Sequence, residues 1–188
     1  MVAGVDQILG ILTIIAQICL VVLVTCGGVI KFWPTARQNL VLKKIIHFCS
    51  YHAIILALIV ATTATLGSLF YSEVAKFTPC ELCWWQRILM YPQVVILAIS
   101  LWYKDRAAVR YCLGLSIIGA MIAGYHYLLQ LGLTSGLSCS AIGYSVSCVQ
   151  NFVLQFGYIT IPLMSLTAFL EIIALMILAK LINYKKTN

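Results

Sequence analysis

The sequence predicts an all-α membrane protein. It comprises a four-helix transmembrane bundle, one additional N-terminal transmembrane helix, and a short interfacial helix in the second outer loop. Three observations carry this reading. The 188 residues are 63% hydrophobic and only 9% charged, too apolar a composition to be hidden in one soluble core. Apolar runs of about 20 residues recur, each long enough as a helix to cross a hydrocarbon layer of ~30 Å. The basic residues fall in alternate connections, as the positive-inside rule requires of a multi-pass chain.

The first run, residues 8–30, resembles a signal peptide only superficially. Residues 1–7 carry no Lys or Arg and the run is too long for a signal h-region, so it reads as a spanning helix. Spans follow at residues 45–69, 84–102, 111–131 and 158–182, giving one integral membrane domain over 1–188 with an extra helix at 8–30 and a four-helix core at 45–182. Lys31, Arg37, Lys43, Lys44, Lys104, Arg106, Arg110, Lys180, Lys185 and Lys186 all fall on one side, leaving Lys76 and Arg87 on the other. Ten of the twelve basic residues on one side place the N-terminus outside and the C-terminus in the cytoplasm. The net charge of +7 thus reports topology and contact with anionic lipid headgroups, and no nucleic-acid partner is expected.

The eight cysteines divide along the same line. Cys80, Cys83, Cys139 and Cys148 lie in the two outer connections, facing a compartment where disulfides persist; Cys19, Cys26, Cys49 and Cys112 lie in or beside apolar spans and read as small hydrophobes. Pro79 immediately precedes Cys80, which places the Cys-Glu-Leu-Cys motif at or just before the start of the third span. There, free N–H groups and the helix dipole favour thiolate, and thiols at i and i+3 can close a disulfide ring. The second outer connection, 132–157, carries no charged residue, and its Val149, Phe152, Val153 and Phe156 recur at helical spacing. This predicts a short interfacial helix, the alternative being the frayed start of the last span.

Eight residues including Gly143 separate Cys139 from Cys148, so the chain between them can fold back and bring the sulfurs together. Such a small ring stabilises by only roughly 3 kcal/mol, a weak structural motive. Two outer pairs instead suggest a relay in which disulfide exchange hands two electrons from one pair to the next, though two structural staples would fit as well. By count, the four outer cysteines also match a tetrathiol zinc site, but an oxidising compartment and the loose spacing of the second pair disfavour metal. Arg87, about one turn into the third span, either snorkels outward or stabilises a Cys83 thiolate or an anion developing on an electron acceptor. His126 lies ~8 Å below the outer end of the fourth span, in the same leaflet, either as a bonded core residue or in contact with a proton path or acceptor. Glu171 sits near mid-membrane, where a carboxyl must be neutral or paired, and no partner can be named from sequence. His47 and His52 fall at the cytoplasmic end of the second span.

The run Pro79-Cys80-Glu81-Leu82-Cys83-Trp84-Trp85-Gln86-Arg87-Ile88-Leu89-Met90-Tyr91-Pro92 closely resembles the DsbB/BdbC family of quinone-dependent membrane thiol:disulfide oxidoreductases. Gly124-Tyr125-His126-Tyr127, the later cysteine pair and Tyr158-Ile159-Thr160-Ile161-Pro162 extend the resemblance from about residue 45 to the C-terminus. It implies a thiol oxidase in the bacterial cytoplasmic (inner) membrane, with its reactive cysteines on the extracytoplasmic face. That enzyme reoxidises a soluble DsbA-like thioredoxin-fold partner and delivers the electrons to a membrane quinone, ubiquinone or menaquinone. Residue by residue, the resemblance implies that Cys139 accepts attack from the partner, that Cys148 is its disulfide mate and that Cys80 exchanges with this loop pair. Cys83 is then the thiolate that faces the quinone and forms the charge-transfer or covalent adduct, with Arg87 and His126 beside the quinone oxygens; no metal is implied. The extra first helix, the close spacing of the second cysteine pair and Gln86 in place of an acid depart from the proteobacterial pattern and favour the BdbC-like branch. A vitamin-K-epoxide-reductase-like thiol oxidase shares the chemistry, but there the loop cysteines precede the CxxC. Because the reactive residues all follow Lys44, the four-helix core is expected to suffice for catalysis.

Overall fold

The computed structural model describes residues 2–32, 40–105, 107–133, 148–149 and 152–186. In chain order these form α1 (Val2–Phe32), α2 (Leu40–Tyr51), α3 (Ala53–Leu69) running into a π-helical turn (Phe70–Val74), α4 (Glu81–Tyr103), α5 (Ala108–Gln130) and α6 (Ile161–Lys186). The protein is all-α. Five stretches are long and apolar enough to span a membrane: Val2–Gly28, Ala53–Val74, Glu81–Tyr103, Ala108–Gln130 and Ile161–Lys180.

Lipid is as apolar as leucine, so these helices gain little by hiding hydrophobic surface from one another and associate through close packing instead. Ala53, Ala57 and Ala61 recur every four residues on α3 and are all buried, a flat face that lets neighbours approach. Gly119 of α5 lies directly under the Phe169 ring of α6. Phe169, Ile172 and Met176 are fully enclosed, which makes α6 the central helix, packed against α5, α3 and α1. The outer face of α1, with Ile8, Ile11 and Ile18, is left to lipid.

Two elements differ from the expected ones. The span predicted at 45–69 is divided at His52, whose backbone (φ −97°, ψ 11°) leaves the helical region and whose Nδ1 lies 3.1 Å from the Phe48 carbonyl. Hydrogen bonds from His52 N to Phe48 O and from Leu56 N to His52 O carry the chain across, so the break is a kink. The span then continues past residue 69 through the π-turn, a change of hydrogen-bond register to which hydropathy is blind.

The expected interfacial helix is corrected as well. Residues 152–160 form a tight turn instead, closed by a bridge between Gln155 and Ile159, with Phe156 (φ 52°) and Gly157 (φ 78°) both left-handed. A helix cannot pass through two such residues.

Candidate functional site

The π-turn of α3, the start of α4, the end of α5 and the turn before α6 meet at one end of the bundle. Cys80 is the N-cap of α4: its backbone is extended (φ −74°, ψ 172°) and its sulfur accepts the Cys83 N–H at 3.4 Å. A cap with a polarisable sulfur serves the helix terminus as a hydroxyl would, and the terminus in turn favours negative charge on that sulfur. The two sulfurs are 2.8 Å apart, set to close the bond of about 2.05 Å that a disulfide needs. The hydrogen bond from Cys83, reinforced by His126, holds the Cys80 thiol well below its usual range despite its burial. In the reduced pair, negative charge is therefore favoured on the Cys80 sulfur.

His126, on α5, is buried and makes three contacts. Nδ1 lies 3.0 Å from Gln86 Nε2, while Nε2 lies 3.1 Å from the Cys148 carbonyl oxygen and 3.7 Å from Cys80 Sγ. A carbonyl only accepts, so Nε2 carries the hydrogen and Nδ1 of a neutral ring accepts from the Gln86 amide. The imidazole thus joins the two cysteine-bearing segments. The ligand atoms of Cys80, His126 and Cys148 all lie within 4.8 Å of one another and all three residues are buried. Three such donors resemble a metal set, but Cys148 is disulfide-bonded, and its sulfur cannot serve as a thiolate ligand in that state. Cys139 lies outside the described residues. Cys19, Cys26, Cys49 and Cys112 are free thiols, Cys112 being part of the core.

Arg87 does not snorkel. Its Nε donates to Ser68 Oγ (3.0 Å) and its Nη2 to the Ser68 carbonyl (3.1 Å), where α3 passes into the π-turn. Tyr91 donates to the same Ser68 Oγ at 3.2 Å, and the guanidinium carbon stands 5.3 Å from the Trp84 ring centroid. Among the described residues, two of the guanidinium's five donors are thus engaged.

Behind the dithiol lies a cavity of about 380 Å³, within the size range of small-molecule sites. Cys80, Cys83, Gln86, Arg87 and His126 form its polar end, and Glu171 lines its deeper part with no hydrogen bond or ion pair to a described residue. Tyr71, Phe77 and Phe152 cover it as a stack, with centroid separations of 5.9 Å and 5.0 Å. Four predicted residues, Cys80, Cys83, Arg87 and His126, are therefore brought together with Cys148. His47 and His52 stand apart, in an aromatic cluster with Phe48 and Tyr51. Sequence reasoning missed Gln86, Ser68 and Tyr91 as partners. Gln86 alone left a signal, since Cys83, Gln86, Met90 and Gln93 follow one helical stripe.

Helices that span a membrane, a capped dithiol and a disulfide-bonded cysteine within reach of it define a membrane-embedded thiol:disulfide oxidoreductase. Residues 50–179 match the family model described as disulfide bond formation protein DsbB. The chain belongs to this family. It is 48% identical over 123 residues to disulfide bond formation protein C of Bacillus subtilis (strain 168), a match spanning 65% of this chain and 88% of that protein. It is 42% identical over 126 residues to probable disulfide formation protein C 2 of Bacillus anthracis, covering 67% and 88% of the two chains. The SPbeta prophage-derived disulfide bond formation protein B of Bacillus subtilis is 48% identical over 105 residues, 56% of this chain and 70% of that protein. No solved structure matches the chain.

Proposed function

We propose that the protein reoxidises a soluble DsbA-like donor outside the cytoplasmic membrane and passes two electrons through Cys139–Cys148 and then Cys80–Cys83 to a membrane quinone, ubiquinone or menaquinone. The observation that carries this reading is the approach of Cys148 to Cys80, with His126 between them, to within 4.8 Å. Exchange needs thiolate and disulfide sulfur within a short reach, and two unrelated staples would have no reason to share a histidine.

The donor's thiolate attacks Cys139; the Cys139–Cys148 bond breaks and Cys148 leaves as thiolate. The Cys148 thiolate attacks Cys80, breaking Cys80–Cys83 and freeing Cys83. The donor's second thiol, deprotonated, displaces Cys139 from the mixed disulfide, so the donor departs oxidised. Cys139 then displaces Cys80 from Cys148, which restores the loop disulfide and leaves Cys80 and Cys83 holding the two electrons. His126 Nε2–H is within reach of the Cys80 sulfur as negative charge forms there.

The cavity suits a quinone. The dithiol and the Arg87 guanidinium line one end of a mostly apolar space. A bound quinone supplies an acceptor for two electrons and two protons. Cys83 and Arg87 would hold its ring end. Anaerobic mixing of the purified protein with reduced donor and quinone tests the reading, with one quinol expected per donor disulfide formed. Donor oxidation without quinol formation would refute it.

A further inference from the structure

The family match begins at residue 50, so α1 lies outside it. Yet α1 is fastened to the site end of the bundle at three points. Gln17 accepts from the Tyr158 hydroxyl at 3.0 Å and donates to Thr167 Oγ1 at 3.4 Å. A Cβ on Gly10 would stand 3.1 Å from the Phe156 ring and 3.3 Å from Gln155 Cβ, so the backbone of α1 presses on the turn before α6 at a place suited to glycine. Leu9 meets Gly67 near the end of α3, where an added Cβ would lie 3.4 Å from the leucine methyls.

Between these anchors α1 runs beside α6 and leaves a gap toward α3, and that gap is the cavity. Thr13, Ala16 and Cys19 of α1 line it opposite Thr63 and Ala64 of α3, the same space into which Cys80 and Cys83 open. The sequence led to the expectation that the four-helix core suffices for catalysis, and α1 nevertheless lines this cavity. We propose that α1 is the lateral wall of the acceptor site: it converts a groove between α3 and α6 that would face lipid into a slot, and its small residues at 13 and 16 set the width available to the acceptor. This rests on the reading that the acceptor is a quinone. A lipid-borne acceptor must enter sideways from the bilayer, so the helix on that side governs entry and fit. A bulky side chain at position 16 removes the space, whereas one at Ile18, 59% exposed on the lipid face, does not.

The test uses the full chain in proteoliposomes with short-tailed ubiquinone and menaquinone analogues. Ala16→Trp should raise the quinone KM at least tenfold and leave a single stoichiometric round of donor oxidation by the preformed disulfides unchanged; Ile18→Trp should alter neither. In the oxidised wild-type protein, quinone should slow N-ethylmaleimide labelling of Cys19 several-fold but not that of Cys26, as read by mass spectrometry. Equal KM values for the two tryptophan variants together with unprotected Cys19 would overturn the proposal. Should Ala16→Trp fail to insert, Cys19 protection in the wild type decides by itself: protection supports the wall, and its absence overturns it. A wild-type protein that oxidises donor but reduces neither quinone would instead refute the underlying function, and the wall with it.

Discussion

Cys80 receives a hydrogen bond from Cys83 and faces His126, and together these hold its thiol below the ordinary cysteine range. In the reduced protein, iodoacetamide should therefore alkylate Cys80 with a pH midpoint below the usual value of about 8.5. Cys83→Ala, which removes the main cause, should move that midpoint up; an unchanged midpoint would assign the low value to His126 and the helix terminus instead. The sign for stability follows. Between the lowered value and the ordinary one the unfolded chain carries a proton that the folded chain lacks, so the reduced fold gains stability as pH rises through that window. The gain is complete above the ordinary value and lost below the lowered one. In the proposed relay, Arg87 serves the acceptor side of the dithiol. Arg87→Lys keeps the charge but loses the fork that grips both Ser68 Oγ and its carbonyl. Losing one charge-assisted hydrogen bond of ~1.5–3 kcal/mol should cost roughly ten- to a hundredfold in quinone use. A single round of donor oxidation without quinone should proceed normally, and stopped-flow on the oxidised variant reads this directly. A slowed first round with intact quinone reduction by prereduced enzyme would remove Arg87 from the acceptor side.

The α5–α6 contact decides whether His126 stays aligned with α4, and it hinges on Gly119. A methyl group there meets the Phe169 ring, a fully buried neighbour with little room to move, so Gly119→Ala should destabilise by ~1–3 kcal/mol through overpacking. Gly114, one helix face away, has nothing within 4 Å of an added Cβ. Gly114→Ala should be neutral or stabilising by up to about 1 kcal/mol, since alanine is the better helix former. Thermal unfolding in detergent separates the two, and equal melting temperatures would contradict the packing described. Elements of this kind were legible in the sequence where the signal is local. The five spans follow from hydropathy, and the dithiol at a helix start follows from Pro79 and the CxxC spacing. The kink at His52 and the π-turn were not legible, because a change in hydrogen-bond register leaves the apolar pattern intact. The spacing of Val149, Phe152, Val153 and Phe156 matched a helix, yet the left-handed backbone at Phe156 and Gly157 turns the chain. The contacts of Gln86 with His126 and of Arg87 with Ser68 depend on how α3, α4 and α5 are rotated against one another, which no single-helix pattern records.

At the scale of the whole molecule, the N-terminal end of α1 lies at the same end of the bundle as the dithiol, because Leu9 meets Gly67 and Gly10 meets the turn at Phe156. Lys44, Lys104 and Lys180 are exposed in α2, after α4 and late in α6, elements whose near ends point away from Cys80. The proposed chemistry requires one orientation of this asymmetric body, because the loop disulfide persists only in an oxidising compartment and the donor is a soluble exported protein. The charge distribution favours that orientation. Lys44, Lys104, Arg110 and Lys180 lie on the side away from the dithiol, and each positive charge carried outward against a membrane potential costs about 2.3 kcal/mol per 100 mV. Exposed Glu73, beside the dithiol, and exposed Lys104, at the far end, give two reporters. In intact cells a membrane-impermeant maleimide should label Glu73→Cys and leave Lys104→Cys untouched, with the latter labelled only after permeabilisation; peptide mass spectrometry distinguishes the introduced thiols from native ones. The reverse pattern would put Cys80 and Cys83 in a reducing compartment, where no disulfide relay from an exported donor can run.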